Sequence, residues 1–248
     1  MLSAKSEKFI DNLRMYLMMS GKKEQEIEEL IEELENHLFE VEKSGKGIED
    51  IIDQTPEQYM ASLKKEMKTD YRQIIKFLPI LFLSVIAYVQ MGPAIRGEFE
   101  LNIIQIVGLP ITTLLGFGIY VYFLQQAGKK QYSNKKFFIG GMISSSIVTL
   151  IAIVLMVGSK LIMEPFFKGN TFADVVVIVI CSCIFIITAF WSKSWVTIWI
   201  PAILFIPDVI DRLTDLEIEM WLTITIGSYL LMFIVLLLNV WIAERKKR

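Results

Sequence analysis

The side chains that could do chemistry in this chain are few. His37 is the single histidine. It stands three residues after Leu34 and four before Val41, on the edge of an apolar stripe at helical spacing. Titration near neutrality would suit a proton sensor, whereas an ordinary role is a partly buried side chain packing its domain. One histidine cannot build a catalytic triad, a histidine-based metal site or a membrane zinc-protease motif. Cys181 and Cys183 sit two residues apart in an apolar run. In a helix that spacing turns them about 200° apart, so they cannot share a metal or a bridge, and they read as small buried apolar residues. Ser20-Gly21-Lys22-Lys23 is a turn and lacks the spacing of a phosphate-binding loop. The pairs Asp208 and Asp211, and Glu217 and Glu219, lie in an acidic loop and are expected to be solvated. No catalytic residue, metal ligand or cofactor contact is assigned, and the chain does not read as an enzyme.

The elements that carry these residues divide into two kinds. The 248 residues have mean hydropathy +0.50, with 54% hydrophobic and 21% charged residues. That is too apolar for a soluble domain and too ordinary in Gly, Pro and Cys for a disordered chain, a collagen or a disulfide scaffold. The average conceals an acidic stretch, 1–73, with net charge −6, and an apolar stretch, 74–248, with net charge +4. The predicted class is all-α: a small helical cytoplasmic N-terminal domain (1–73) joined to a polytopic bundle of six transmembrane helices (74–248). The first apolar run begins near Ile74, too late for a cleaved secretory signal.

A span needs about 20 mostly apolar residues. Six candidates occur, at about 74–95, 101–126, 137–163, 172–191, 195–209 and 220–243. The fifth is short and holds Pro201 and Pro207. With six crossings and the N-terminus inside, 14 lysines and arginines flank the spans inside and 4 outside. Dropping the fifth span would put the final Glu-Arg-Lys-Lys-Arg outside. The expectation is a multi-pass plasma-membrane protein with both termini cytoplasmic. The acidic outer loop 208–219 is a candidate surface helix.

The span middles hold no Asp, Glu, Lys, Arg or His, which argues against an ion-coupled pump of the usual kind. The mild polar residues are Asn102, Gln105, Thr112, Thr113, Ser144 to Ser146 and Asn239. Gly140, Gly141, Ser144 and Ser145 place small residues four apart, twice, and are candidate helix-packing positions. Gly116 and Gly118 read likewise. Lys129, Lys130, Lys135 and Lys136 between the second and third spans are a topology signal and candidate contacts to anionic lipid head groups.

The N-terminal stretch has helical spacing throughout. Phe9, Leu13, Tyr16 and Leu17 line a helix over 8–19, ended by Ser20-Gly21. Ile27, Leu30, Ile31, Leu34, Leu38 and Val41 line a second over 23–43, with Glu24, Glu28, Glu32 and Glu35 on its opposite face, the candidate protein-interaction face. Ile48 to Ile52 is a short helical turn. Thr55-Pro56-Glu57-Gln58 starts a third helix, with Thr as cap and Pro at the first position, and Tyr59, Leu63 and Met67 on one face. That helix could run on into the first span and couple the domain rigidly to the membrane.

These segments carry a resemblance. Phe9-Ile-Asp-Asn-Leu13-Arg14-Met-Tyr16-Leu17, Glu26-Ile27-Glu28-Glu29, Glu33-Leu34-Glu35-Asn-His37-Leu38-Phe-Glu40, Gly45-Lys46-Gly-Ile48-Glu-Asp50-Ile51 and Pro56-Glu57-Gln-Tyr59, in that order, resemble the small helical HAAS domain over residues 5–70. That family occurs in bacterial, chiefly Gram-positive, membrane proteins. The resemblance implies a compact cytoplasmic signalling domain, often encoded beside a PadR-like transcriptional regulator, with no catalytic residues to carry over. Residues 74–248 show no comparable likeness.

The leading functional reading is a regulatory, non-catalytic membrane adaptor. Its partners would be the lipid bilayer and a PadR-like regulator or other cytoplasmic protein, with no direct binding to nucleic acid; a homo-oligomer is compatible. The alternative is a small permease or exporter-associated subunit, in which Pro110 and Pro201 break helices around a substrate path.

Overall fold

The computed structural model describes residues 2–48, 55–214 and 217–247. The chain is helical almost throughout, as the all-α class requires. Two compact units emerge: residues 1–78 with 111–154, and 79–110 with 155–248. The expected boundary at 73 and 74 therefore falls inside a continuous helix. The expected turn over 48–52, and the side chains of Lys76, Lys160, Asn239 and the C-terminal basic run, lie outside the described residues.

The first unit begins with α1, Ala4–Met19, and α2, Glu24–Lys43. The α1 start is fixed by Ser3, whose Oγ accepts from the Ser6 backbone N–H, and its end by Gly21 at φ +68. α3, Pro56–Glu66, carries the capping box expected of Thr55 and Gln58: Gln58 N–H donates to Thr55 Oγ1 at 3.3 Å, and Thr55 N–H to Gln58 Oε1 at 3.2 Å. Phe9, Leu13, Tyr16 and Leu17 meet Ile27, Ile31, Leu34 and Leu38 in one core, closed by Ile48 and Met60. Each such side chain, buried, contributes about 1.5–3 kcal/mol. Met60, not Tyr59, is the fully buried residue of α3; Tyr59, Leu63 and Met67 pack partly buried at the rim. His37 lies outside this core and is exposed, because its position on α2 turns it away from Leu34 and Leu38.

A clasp joins the two ends of the first pair of helices. Glu42 Oε1 accepts from Ser3 Oγ and Ser6 Oγ, both at 2.6 Å, and Oε2 from Ser3 N–H at 2.8 Å. The Ser3 hydroxyl, first among these donors, holds the Glu42 carboxyl below its ordinary range. A depressed carboxylate stabilises the fold above its unfolded pKa, and the contribution is lost as pH falls through its folded value. Glu42→Gln should therefore lower stability at neutral pH and leave the acid end nearly unchanged, so that the variant's stability varies less with pH. Thermal melts of both proteins at neutral and acid pH check this, and parallel profiles would contradict it.

α3 does not continue into the membrane. It stops at Met67, in extended backbone, and α4, Tyr71–Arg96, starts afresh. Long-range bonds break the helix: Lys22 Nζ donates to the Met67 carbonyl at 2.6 Å and to Thr69 Oγ1 at 3.0 Å, and Asp70 N–H to the Gly21 carbonyl at 2.8 Å. The linker is thus fastened to the α1–α2 turn instead of being a rigid rod.

Beyond α4 come β1, Glu100–Leu101; α5, Ile103–Lys129; α6, Asn134–Ile162; β2, Phe167–Lys168; α7, Thr171–Ser192; α8, Val196–Leu204; α9, Ile206–Thr214; and α10, Ile218–Lys247. Among the described residues, five stretches are long and apolar enough to cross a membrane: Phe77–Arg96, Ile103–Lys129, Asn134–Ser159, Thr171–Ser192 and Ile218–Leu238. Their apolar side chains face outward, Phe138 at 66%, Leu150 at 62% and Leu230 at 63% exposure, as lipid-facing residues do. The expected fifth span, 195–209, is instead two nine-residue helices, α8 and α9, meeting at Phe205. Cys181 is buried as expected, while Cys183 is exposed on the opposite side of α7.

Candidate functional site

The exposed face of α2 carries Glu24, Glu28, Glu32 and Glu35, all open to solvent. Glu28 is paired with Arg14 at 3.2 Å. The four therefore form the acidic strip that the spacing predicted.

The remainder of the first unit positions that strip. The C-terminal end of α5 seats α1 and α3. Gln125 Nε2 donates to the Met19 carbonyl, and Lys129 pairs with Glu57 at 3.1 Å. A Cβ on Gly128 would lie 2.7 Å from the Asn12 carbonyl oxygen and 3.1 Å from Tyr16, so only glycine permits this approach. Burial raises the Tyr16 phenol above its ordinary pKa, with Lys64 5.4 Å above the ring centroid. On the other flank Lys8 Nζ donates to Asn134 Oδ1 at 3.3 Å, at the start of α6.

Of the four lysines singled out for lipid, Lys130, Lys135 and Lys136 are exposed, while Lys129 is engaged by Glu57. The two small-residue pairs separate. Gly140 meets the Phe123 ring at 2.5 Å from its would-be Cβ, and Ser144 is buried; this pair packs α6 on α5. Gly141 and Ser145 instead line an open groove against α1.

The second unit gathers helix ends on one side. β1 pairs antiparallel with β2, Glu100 opposite Lys168 and Leu101 opposite Phe167. Asn102, fully buried, donates through Nδ2 to the Ser159 carbonyl at 3.2 Å. Arg96, at the C-terminal end of α4, donates through Nη1 to Asp208 Oδ1 and through Nε to Glu98 Oε2 at 3.1 Å. Asp208 is 7% exposed, so the expectation of a solvated carboxylate is corrected: the arginine brings it under cover. Asp211 is half-buried. Tyr88 packs on Phe205 at 5.5 Å between centroids. An apolar cavity of about 310 Å³ lies among α4, α5 and α7, with the buried Gln90 on its wall.

Among the described residues no three His, Cys, Asp or Glu side chains converge as metal ligands do. The family comparison bears on the membrane part. Residues 88–206 match the family model of the HAAS transmembrane region. The HAAS match thus covers the end of α4 through α8, the part for which the sequence showed no likeness, and it makes this an integral membrane protein. No curated protein and no solved structure matches the chain.

Sequence reasoning missed Gln125, Gly128, Lys22 and the Arg96–Asp208 pair. Each acts through a partner far along the chain, and no local pattern marks such partners.

Proposed function

We propose that this HAAS membrane protein is a regulatory adaptor of the bacterial plasma membrane. Its N-terminal helices face the cytoplasm and present the α2 acidic strip to a PadR-like transcriptional regulator or another cytoplasmic protein. The observation that carries this is the strip itself, held on a module bonded to the end of a membrane-spanning helix at Gln125, Gly128 and Lys129. That helix touches α1 and α3, and α1 packs on α2, so the strip is linked to the span through α1.

The same reading has six crossings and both termini inside. Its support lies within the second unit: α8 packs on α7 and starts beside its C-terminal end, whereas Asp208 on α9 pairs with the far end of α4. Together α8 and α9 lead from one side to the other, about 25 Å at 1.5 Å per residue, enough for the hydrocarbon core with slight thinning.

Changing Glu24, Glu28, Glu32 and Glu35 together to lysine is the test. The protein should still reach the membrane, and transcripts controlled by the regulator should shift several-fold, as in a deletion strain. Wild-type transcript levels in the variant would contradict the adaptor role. The second reading, a small permease or exporter-associated subunit, draws on the apolar cavity beside Pro110. Altered uptake or efflux in the deletion strain, with transcripts unchanged, would favour it instead.

A further inference from the structure

Between α1 and the first half of α6 lies an open groove of about 830 Å³. One wall is polar: Glu7, Lys8, Asp11 and Asn12 of α1, with Asn134 opposite. The other is the membrane-spanning surface of α6, with Phe137, Phe138, Gly141, Met142 and Ser145. Phe138 and Met142 are exposed, so this wall opens to where acyl chains run. The groove is polar at one end and apolar at the other, within a single unit of the fold.

Two observations say what fills it. Asn12 is 9% exposed on the groove wall, and its Nδ2 is buried without a hydrogen-bond partner. An unpartnered buried donor is costly, and an oxygen acceptor from a bound molecule would satisfy it. The charges are also mixed. Lys8 supplies a cation, with Lys135 and Lys136 exposed at the neighbouring start of α6, while Glu7 and Asp11 supply two carboxylates one helical turn apart. A purely anionic head group would face both carboxylates, and a purely cationic one would face the lysines.

We propose that the groove binds a zwitterionic phospholipid carrying a primary ammonium, of the phosphatidylethanolamine kind. Its ammonium donates to the Glu7 and Asp11 carboxylates. Its phosphate lies by Lys8, an ester or phosphate oxygen accepts from Asn12 Nδ2, and one acyl chain runs along Phe138, Gly141 and Ser145. A primary ammonium can donate three hydrogen bonds, whereas a trimethylated one donates none, so the carboxylates discriminate between the two. The lipid then forms part of the seat of the N-terminal helices. This site does not depend on the adaptor reading or on any regulator.

The test uses the full-length protein and native mass spectrometry after delipidation and exchange with chain-matched lipids. Phosphatidylethanolamine should be retained about tenfold over phosphatidylcholine and phosphatidylglycerol, the value of one or two charge-assisted hydrogen bonds. Free phosphoethanolamine should not compete, which separates a lipid site from a phosphate site. Glu7→Gln with Asp11→Asn, both at exposed positions, should abolish the preference over phosphatidylcholine. Ser145→Trp, which obstructs the acyl path, should lower retention of all three lipids. Equal retention of the three lipids by the wild type, preference for phosphatidylglycerol, competition by phosphoethanolamine, or an unchanged preference in the double variant would overturn the proposal.

Discussion

Gly128→Ala should unseat the N-terminal helices from the end of α5. The added Cβ falls 2.7 Å from a backbone oxygen, that of Asn12, which cannot turn aside as a flexible side chain would. Either α1 or the last turn of α5 must move, and overpacking of this kind costs about 1–3 kcal/mol. The loss also frees the Gln125 bond to Met19 and the Lys129 pair with Glu57, which depend on the same approach. The pair alone contributes little: its partners are 31% and 45% exposed, so truncating Lys129 should cost about 0.5 kcal/mol or less. A bismaleimide crosslink between cysteines placed at Lys8 and Asn134, whose native side chains meet at 3.3 Å, reads the seating directly. Its yield should be high in the parent and fall about tenfold or more with Gly128→Ala, as a change of about 1.4 kcal/mol gives. Gly118→Ala is the control: nothing lies within 4 Å of its would-be Cβ, so seating should be unchanged and helix propensity slightly improved. Equal crosslinking in all three proteins would remove the seat from the account.

Arg96→Gln should be the most destabilising single change in the second unit. It leaves Asp208 buried with its Oδ1 without its cation, and breaking a buried pair from one side costs about 3–5 kcal/mol. Arg96 keeps 25% of its side chain exposed, so about 2–3 kcal/mol is the expected loss here. Asp208→Asn retains the shape and a hydrogen-bond acceptor and should cost less. The double variant should recover part of the loss, because neither charge is then left alone. Thermal denaturation of the detergent-solubilised protein, followed by aggregation onset, reads these differences. If the double variant loses the sum of the two single losses, the two side chains are not coupled. Glu98, the second partner of Arg96, is 62% exposed and should matter little.

What could be read from the sequence was local. The capping box at Thr55, the stop at Gly21 and the stripe from Ile27 to Leu38 rest on neighbours within a helical turn or two, and the structure has them as expected. The apolar runs gave five spanning helices within a few residues at each end. Length alone could not resolve the fifth run, because the break at Phe205 divides it and its second half is held by a residue at the end of α4. The continuity expected between α3 and the first span failed for the same reason: Lys22, Met67 and Thr69 are distant in sequence and adjacent in space. His37 misled because it borders a stripe without facing the core. Of the candidate site, the acidic strip on α2 was legible from spacing, whereas Gly128 looks like any helical glycine until its neighbour is known. The family likeness was read from the N-terminal motifs, and the match lies over the membrane region, 88–206.

The central claim is that the α2 strip is the surface through which the membrane protein meets a cytoplasmic regulator. Site-specific photo-crosslinking in intact cells, with the full-length protein carrying the probe at Glu32 or Glu35, tests it most directly. The account predicts a crosslinked adduct whose second component is identified by mass spectrometry as a PadR-like or other cytoplasmic regulator, and which disappears when the probe is moved to Phe138 on the membrane-facing side of α6. Adducts at Phe138 with the same protein, or no adduct from either glutamate position in cells that contain the regulator, would contradict it.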